Sequence, residues 1–223
     1  MLSPIPELAT IYSRRFDHDL AYRNSVWRVL AGRFFQTHVM PGDTVLDLGT
    51  GYGHFINNIR CKKKLAMDLN AASRAYLSDD VTLLSQDCSA PWQIESESLD
   101  VVFTSNFFEH LPSKDALTAT LEQAMRCLRP GGRLIAMGPN IKFTGGAYWD
   151  FWDHHLALTE LSLKERLETL GFSCLTVEPR FLPFTMVGGP QYPPFAIWLY
   201  LRIPIAWRFL GKQFLVIVKK PER

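Results

Sequence analysis

The residues best suited to chemistry are three glycines that follow an apolar run and a carboxylate. Residues 45–55 read VLDLGTGYGHF, so Gly49, Gly51 and Gly53 form a G-x-G-x-G pattern shortly after Asp47. A glycine-rich turn between a strand and a helix lets the backbone approach a ligand closely and exposes amide groups to it. A carboxylate beside this turn repels a pyrophosphate but accepts hydrogen bonds from an ammonium group. The pattern therefore favours a ligand with a cationic end over a dinucleotide.

Two further carboxylates follow later apolar runs. Asp68 lies 19 residues after Gly49, at the end of the second run, and Asp87 follows the third run. At the first of these positions a carboxylate can bind both hydroxyls of a ribose, and at the second it lies within reach of an adenine ring. The indicated ligand has an adenosine, free ribose hydroxyls and a positively charged amino-acid tail. S-adenosylmethionine (SAM) fits this description, whereas NAD and ATP fit it poorly.

Short apolar runs alternate with amphipathic stretches along the chain. The runs that predict strands cover residues 44–48, 64–69, 81–85, 99–105, 133–138 and 213–219. Helical spacing of apolar residues predicts helices over residues 20–39 and 113–128. A capping-box pattern of Ser162 with Glu165 predicts a third helix that ends at Gly171. Strands without two-residue alternation are typical of a parallel sheet buried on both faces, so the order predicts a doubly wound α/β fold.

Composition and charge narrow the class of protein. The chain has 223 residues, of which 47% are hydrophobic and 21% charged, and its net charge of +2 gives no basic excess for nucleic acid. The four cysteines are scattered without a C-x-x-C pair, so neither a zinc site nor a disulfide framework is expected. Neither a leader pattern nor an apolar run of about 18 residues is visible. These features predict a single cytoplasmic domain.

Five motifs carry a resemblance to a known family. VLDLGTGYG, MDLN, QDCSAPW, LDVVFTSNFFEHL and LRPGGRLIAMGPN follow, in order and spacing, the motifs of class I SAM-dependent methyltransferases. The chain is most similar to the branch described as methyltransferase domain type 11 or 12, closely so over residues 40–140. The resemblance implies a Rossmann-like, mostly parallel sheet of seven strands with helices on both faces and the last strand antiparallel. It also implies SAM as the methyl donor and S-adenosylhomocysteine as the product.

The resemblance also assigns parts of the chain to the two substrates. Within one domain of residues 1–223, residues 1–40 would form a helical cap, 41–138 the cofactor-binding core, and 139–161 and 179–212 a lid on the acceptor side. The methionine part of SAM would be held by Asp47, Gly49, Thr50, Gly51 and Gly53. The rest of SAM would lie against Asp68 and Leu69 at the ribose, Asp87 and Cys88 at the adenine, and Asn106 under the sulfonium.

The catalytic candidates are histidines that follow the fourth strand or lie in the lid. A sulfonium is already activated, so alignment supplies much of the catalysis, and a base is needed only for an acceptor that arrives protonated. His110 follows the fourth strand, and Asp153, His154 and His155 lie in the lid sequence YWDFWDHH. A carboxylate beside an imidazole can tune its pKa toward neutral pH. The alternative is structural, with His110 holding a turn and the lid packing on its own domain.

A metal ion is not expected at this site. Some relatives carry Glu-x-x-Glu-His after the fourth strand and bind magnesium there, whereas this chain has Asn106, Glu109 and His110. A hard dication loses an important carboxylate ligand in such an arrangement. SAM is therefore the one cofactor that the sequence predicts.

The resemblance indicates O-methylation of a small molecule or a glycan, as in bacterial natural-product and polysaccharide enzymes. The alternatives are N-methylation of a small molecule and, in another class, a non-catalytic SAM-binding module in an assembly. No nucleic-acid partner is expected, and the chain is expected to be a monomer or a homodimer. Residues 195–223 combine aromatic residues with six basic residues and one acid, which suits peripheral contact with a membrane. The alternative for this segment is a substrate lid or a subunit contact.

Overall fold

The computed structural model describes residues 19–184 and 190–222. Within these ranges the helices and strands are, in chain order, α1 Leu20–Val29, β1 Thr44–Leu48, β2 Lys63–Met67, β3 Val81–Leu84, β4 Leu99–Ser105, α2 Lys114–Cys127, β5 Leu128–Pro139, α3 Ile141–Thr144, α4 Glu160–Thr169, β6 Ser173–Glu178, α5 Pro194–Arg202, α6 Pro204–Leu210 and β7 Gln213–Lys219. Short 3₁₀ turns cover Ala71–Tyr76, Phe108–His110 and Gly145–Asp150. The first eighteen residues of the predicted cap lie outside the described residues.

All seven strands form one sheet in the order β3-β2-β1-β4-β5-β7-β6. Strands β1 to β5 run parallel to one another, and β7 runs antiparallel to both β5 and β6. The inner strands are buried on both faces, as expected for a sheet covered on each side. The prediction of a mostly parallel, Rossmann-like seven-stranded sheet with an antiparallel last strand is confirmed.

Helices cover both faces of this sheet and divide the core into two layers. On one face, α2 and α4 contribute Leu117, Leu121 and Leu163 to the core. On the other face, α1 continues through a π-helical turn and a 3₁₀ turn as far as His38. This segment places Phe35 against Phe103 of β4, with ring centroids 4.9 Å apart. The helix predicted for residues 20–39 is therefore present, although only its first ten residues are α-helical.

Two local features depart from the sequence patterns. Residues 51–58, from the second glycine onward, form successive turns, whereas a helix commonly follows a glycine turn of this kind. Here the Asn58 side chain donates to the backbone oxygen of His54, and side-chain bonds of this kind compete with helical hydrogen bonds. The helix α4 begins before Ser162, because Thr159 is its N-cap and exchanges both capping bonds with Ser162. Ser162 is therefore the far member of the capping box, and Glu165 is not part of it.

The carboxyl ends of the parallel strands meet at one edge of the sheet. The glycine turn follows β1, and Asp68, Asp87 and Asn106 follow β2, β3 and β4. The chain after β5 returns to the same edge, where the backbone amide of His155 donates to the carbonyl oxygen of Glu109 at 2.7 Å. Ligands of open α/β sheets bind at this edge. Across the described ranges, no helix is both long enough and apolar enough to cross a bilayer.

Candidate active site

Two cavities lie side by side at the carboxyl edge of the sheet. The Asp68 cavity, of about 610 Å³, contains Asp68 and Asp87 in its lining. The His154 cavity, of about 640 Å³, contains His154 and Asp47. Both volumes fall in the range of small-ligand sites. The residues that line both cavities are Gly49, Gly51, Tyr52 and His110. A ligand in one cavity therefore meets a ligand in the other at the glycine turn and at His110.

The backbone of the glycine turn has a conformation and close contacts that residues with a side chain would not accommodate. Gly49 and Gly51 have φ angles of +72° and +50°, a region that favours glycine. A Cβ at Gly49 would overlap the Phe107 ring. The amide of Gly51 donates to Asp68 Oδ2 at 2.8 Å, which ties the turn to the end of β2. Gly53 lines neither cavity, and its φ of +67° and its nearness to Leu77 give it a packing role.

Asp47 is a buried carboxyl at the end of β1. Its Oδ2 accepts a hydrogen bond from the Thr50 hydroxyl at 2.8 Å, and both residues line the His154 cavity. Burial raises the pKa of Asp47 to about 7, and the nearby charge of Asp68 acts in the same direction. A cationic group placed against this carboxyl would offset its loss of hydration and favour its ionised form. The site is therefore suited to the ammonium end of a ligand.

Asp68 is fixed from two sides. Its Oδ2 accepts from the Gly51 amide, and its Oδ1 accepts from the Asn70 amide at 2.8 Å. Burial raises the pKa of Asp68, although both amides favour the ionised form. Leu69, which is 42% exposed, extends the lining of the same cavity. The carboxylate thus has a fixed orientation at the point where a ribose would lie.

Asp87 and Cys88 line the far end of the Asp68 cavity. Asp87 is exposed, and its Oδ1 accepts from both the amide and the hydroxyl of Ser89 at 2.8 Å. Cys88 is buried, its thiol accepts from the Thr120 hydroxyl, and burial raises its pKa to about 11. Cys88 is therefore a neutral packing group, and Asp87 is the charged side chain beside it.

Asn106 stands where β4 leaves the sheet. Its φ is +49°, a left-handed conformation that asparagine tolerates better than most residues. The backbone amide of Asn106 donates to the carbonyl oxygen of Met137, and the side-chain amide of Asn106 donates to the Ser105 hydroxyl at 3.0 Å. Asn106 lines the His154 cavity rather than the Asp68 cavity. The turn that it begins leads directly to Glu109 and His110.

His110 and Asp153 form a hydrogen-bonded pair between the two cavities. The Nδ1 atom of His110 lies 2.9 Å from the backbone oxygen of Asp153 and 3.2 Å from its Oδ2. Burial alone would lower the pKa of His110, but the hydrogen bond that its ring donates to Asp153 and the charges of Glu109 and Asp153 outweigh burial and raise the pKa. A carboxylate behind Nδ1 fixes the imidazole and leaves Nε2 as the nitrogen for proton transfer.

Glu109, His110 and His154 form a compact group, called the Glu109 cluster below. Glu109 is buried, and burial raises its pKa to about 7. His154 is also buried, its Nδ1 lies 2.8 Å from the Tyr148 carbonyl oxygen, and its ring centroid is 5.0 Å from that of His110. One ligand atom from each member lies within 4.8 Å of the others, so the cluster has the composition and spacing to hold a metal ion. The sequence argument against a metal considered Asn106 but not His154, and that expectation stays a prediction.

His155 differs from the other catalytic candidates in its burial and its contacts. It is exposed, whereas Asp153 and His154 are buried, and it lines the Asp68 cavity together with His110 and Asp153. Its backbone amide, rather than its ring, connects it to Glu109. The four candidates therefore resolve into a linked set, His110, Asp153 and His154, and a separate residue, His155.

Comparison with known proteins identifies the family. Residues 17–177, more than half of the chain, match the family described as methyltransferase domain. The chain belongs to this family. The resemblance to a methyltransferase family is thereby confirmed, and SAM remains the methyl donor that the resemblance implies.

Solved structures agree with this methyltransferase in fold. A SAM-dependent methyltransferase from Archaeoglobus fulgidus is 18% identical, with a TM-score of 0.68 over 92% of this chain and 99% of that chain. Another, from Thermotoga maritima, is described as a possible histamine N-methyltransferase. It is 17% identical, with a TM-score of 0.64 over 95% of this chain and 98% of that chain. Such low identities show the fold alone.

One curated relative matches part of this methyltransferase. Chondramide synthase cmdD from Chondromyces crocatus is 30% identical over an alignment of 102 residues that covers 41% of this chain. The chain matches only 3% of the length of that protein. The match therefore concerns a short segment of that synthase and says nothing about the rest of it.

The methyltransferase cavities contain polar residues that the sequence did not single out. Arg23 and His54 line the His154 cavity, and burial, with the charge of Arg23, lowers the pKa of His54 to about 4. His54 is thus a neutral imidazole at ordinary pH. Glu109 belongs to the same group of missed residues, because it was considered only as a metal ligand. Its position directly before His110 in the sequence could have identified it as a residue of the site.

Proposed function

We propose that this methyltransferase binds SAM along the Asp68 cavity and the glycine turn, and methylates a hydroxyl group of an acceptor in the His154 cavity. The observation that carries the proposal is the position of His110, which lines both cavities and is held by Asp153. Only a group at this junction can contact an acceptor atom while that atom faces the donor. When bound, SAM supplies an electrophilic methyl group on a sulfonium.

The donor side is proposed from the chemistry of its residues. Asp68 has the fixed orientation that suits two ribose hydroxyls, and Asp87 with Cys88 would line the adenine. Leu69 would cover the ribose. The cationic amino-acid end would lie at the glycine turn and Asp47, where a buried carboxyl has lost its hydration. Asp47, Thr50 and Asn106 line the His154 cavity, so the methionine end of SAM would extend past the glycine turn to the near end of that cavity.

The proton of the acceptor decides between the reactions. An amine can reach the site in its neutral form, whereas an alcohol or phenol must lose a proton during transfer. We assign this proton to His110, with Asp153 orienting the imidazole and His154 packed beside it. A positioned base of this kind typically contributes about 10²–10⁴-fold. The presence of such a pair favours oxygen over nitrogen as the methylated atom.

The lining of the His154 cavity supports a small acceptor with an apolar part. Trp27, Phe103, Phe151 and Ile197 contribute apolar walls, whereas a glycan would need polar groups for its many hydroxyls. Apolar walls exclude water and strengthen the interaction between a base and a hydroxyl. Among small molecules and glycans, the lining therefore favours a small molecule.

The proposal is tested by transfer of a labelled methyl group. The purified protein is incubated with methyl-labelled SAM and panels of phenols, alcohols, amines and glycans, and products are identified by mass spectrometry. His110→Ala is expected to lower turnover by at least about tenfold with little change in SAM affinity by calorimetry. His38→Ala, a histidine that lines neither cavity, is the matched control. SAM binding without methylation of any acceptor would support the non-catalytic alternative, and amine products alone would support N-methylation.

A further inference from the structure

The helices α5 and α6 present a surface that the reaction does not use. The segment from Pro190 to Lys212 contains no acidic residue and three basic ones, Arg202, Arg208 and Lys212. All three basic residues are exposed. Of the 15 large apolar side chains that are exposed among the described residues, eight also lie in this segment. We call the outer side of these two helices, together with Lys212 directly after them, the basic apolar face.

The face follows from the helical spacing of α5. Phe195, Trp198, Leu199 and Arg202 recur at intervals of three and four residues and are all exposed, with Phe195 at 70%. This spacing places them on one side of a helix. The inner side carries Ile197, Tyr200 and Leu201, which pack into the core layer below. An exposed stripe with three large apolar side chains is uncommon on a solvated helix.

The helix α6 repeats the pattern on a smaller scale. Ile205, Arg208 and Phe209 share its outer side, and Phe209 is 75% exposed. Its inner side places Trp207 against Phe181, with ring centroids 5.0 Å apart. The inner sides of both helices pack on the same core layer. Their outer sides therefore point away from the domain together.

The composition of the face identifies what covers it. The Arg202 guanidinium lies 5.1 Å from the centre of the Trp198 ring, so cation and aromatic ring are presented together. Side chains of this kind are favoured at a membrane interface, where the apolar part enters the bilayer and the charge stays at the headgroups. A second copy in a two-fold dimer would instead oppose the same cations to themselves. Anionic headgroups match a face with three cations and no acid within its segment.

We propose that the basic apolar face docks on an anionic membrane surface and that the acceptor reaches the His154 cavity from the bilayer. The inner sides of the same helices, at Ala196, Ile197 and Tyr200, line that cavity. The helix α5 therefore separates the docked surface, on its outer side, from the acceptor cavity, on its inner side. The acceptor is then an amphiphile with a hydroxyl group near its polar end. This second part rests on the proposed function.

The structure also narrows the segment that contacts the membrane. Residues 195–223 were predicted as a whole, but β7 lies inside the sheet with six of its seven residues buried. Lys220 is held by Glu97 and the Leu128 carbonyl oxygen at the other end of that strand. The contact therefore belongs to α5, α6 and Lys212.

Binding is tested by sedimentation with vesicles of phosphatidylcholine, with and without phosphatidylglycerol. One basic residue near an anionic surface strengthens binding about fivefold, so three are expected to give on the order of 100-fold preference for the anionic vesicles. Arg202→Glu with Arg208→Glu, and separately Phe195→Ser with Phe209→Ser, are expected to remove most of this binding. The matched controls are Lys62→Glu with Lys63→Glu at the amino end of β2, and Leu161→Ser on α4, all at exposed positions.

The outcomes separate this inference from the proposed function. Equal binding to both kinds of vesicle, no binding, or loss of binding in the controls would overturn docking. So would a dimer in sedimentation velocity that the Phe195 and Phe209 substitutions dissociate, because a second copy would then cover the face. Label found only in aqueous products, and none in a total membrane lipid extract, would overturn delivery from the bilayer. Failure to bind SAM in calorimetry would refute the proposed function alone, since vesicle binding does not require SAM.

Discussion

Replacement of Asp47 by asparagine tests how this protein prepares a site for a cation. The unfolded chain ionises this carboxyl near pH 3.8, whereas burial raises the folded-state pKa to about 7. Because the folded form holds its proton longer, stability from this group is fully present below pH 3.8. It is lost as pH rises toward about 7. Asparagine does not titrate and still offers Thr50 an oxygen acceptor, so the comparison isolates the charge.

The size of the effect follows from the pKa difference. Each unit corresponds to about 1.36 kcal/mol, so a shift of about three units amounts to roughly 4 kcal/mol over the whole interval. Between pH 5 and pH 8 about two of these units are crossed, which gives roughly 3 kcal/mol. Asp47 is buried, so solvent does not screen the effect appreciably. Without cofactor, the free energy of unfolding of Asp47→Asn minus that of the wild type is therefore expected to increase by roughly 3 kcal/mol from pH 5 to pH 8.

Urea unfolding of both proteins at pH 5 and pH 8, without SAM, measures this change. Asp87→Asn, at an exposed position on the same edge of the sheet, controls for loss of one negative charge. A stability difference between wild type and Asp47→Asn that is the same at both pH values would refute the reasoning about burial. SAM is expected to stabilise the wild type more than the variant at pH 8, because its ammonium group favours the ionised carboxyl.

Three further outcomes are expected. Asp68→Ala lowers SAM affinity at least about tenfold in calorimetry, because a charged hydrogen-bond acceptor is lost; unchanged affinity would retire the ribose assignment. Asp153→Asn shifts the pH–rate profile to lower pH and lowers its plateau, since Asp153 raises the pKa of His110 and a base works in its deprotonated form; an unmoved profile would argue against His110 as the base. A chelator leaves methyl transfer unchanged, whereas loss restored by Zn²⁺ or Mn²⁺ would make the Glu109 cluster a metal site.

The sheet and the positions of the carboxylates at its carboxyl edge could be predicted because their signals are local. Each strand is a short apolar run, and a parallel sheet brings the residue after each run to one edge. Asp47, Asp68 and Asp87 could therefore be placed together from their spacing alone. Gly49 could be assigned to a turn because a left-handed conformation at such a position favours glycine.

The acceptor side was harder to predict because its residues are distant in the chain. Glu109 and His110 contact His154 only because the chain after β5 returns to the sheet edge. The sequence around each of the two segments contains no pattern that predicts this contact. Competition between local bonds explains the smaller errors. Thr159 and Ser162 are equally plausible caps by type, and the reciprocal bond between them decides the start of α4.

The position of His110 connects the two halves of the proposed reaction through charge. The donor is cationic before transfer and neutral afterwards, while a hydroxyl acceptor releases one proton. If His110 takes that proton, the positive charge stays at the junction of the cavities and moves only from sulfur to imidazole. The charges of Glu109 and Asp153 raise the pKa of His110. They then stabilise the positive charge at the junction both before and after methyl transfer. An apolar acceptor cavity can adjoin a charged donor site because this junction keeps its charge throughout, and water is not needed to solvate a new ion.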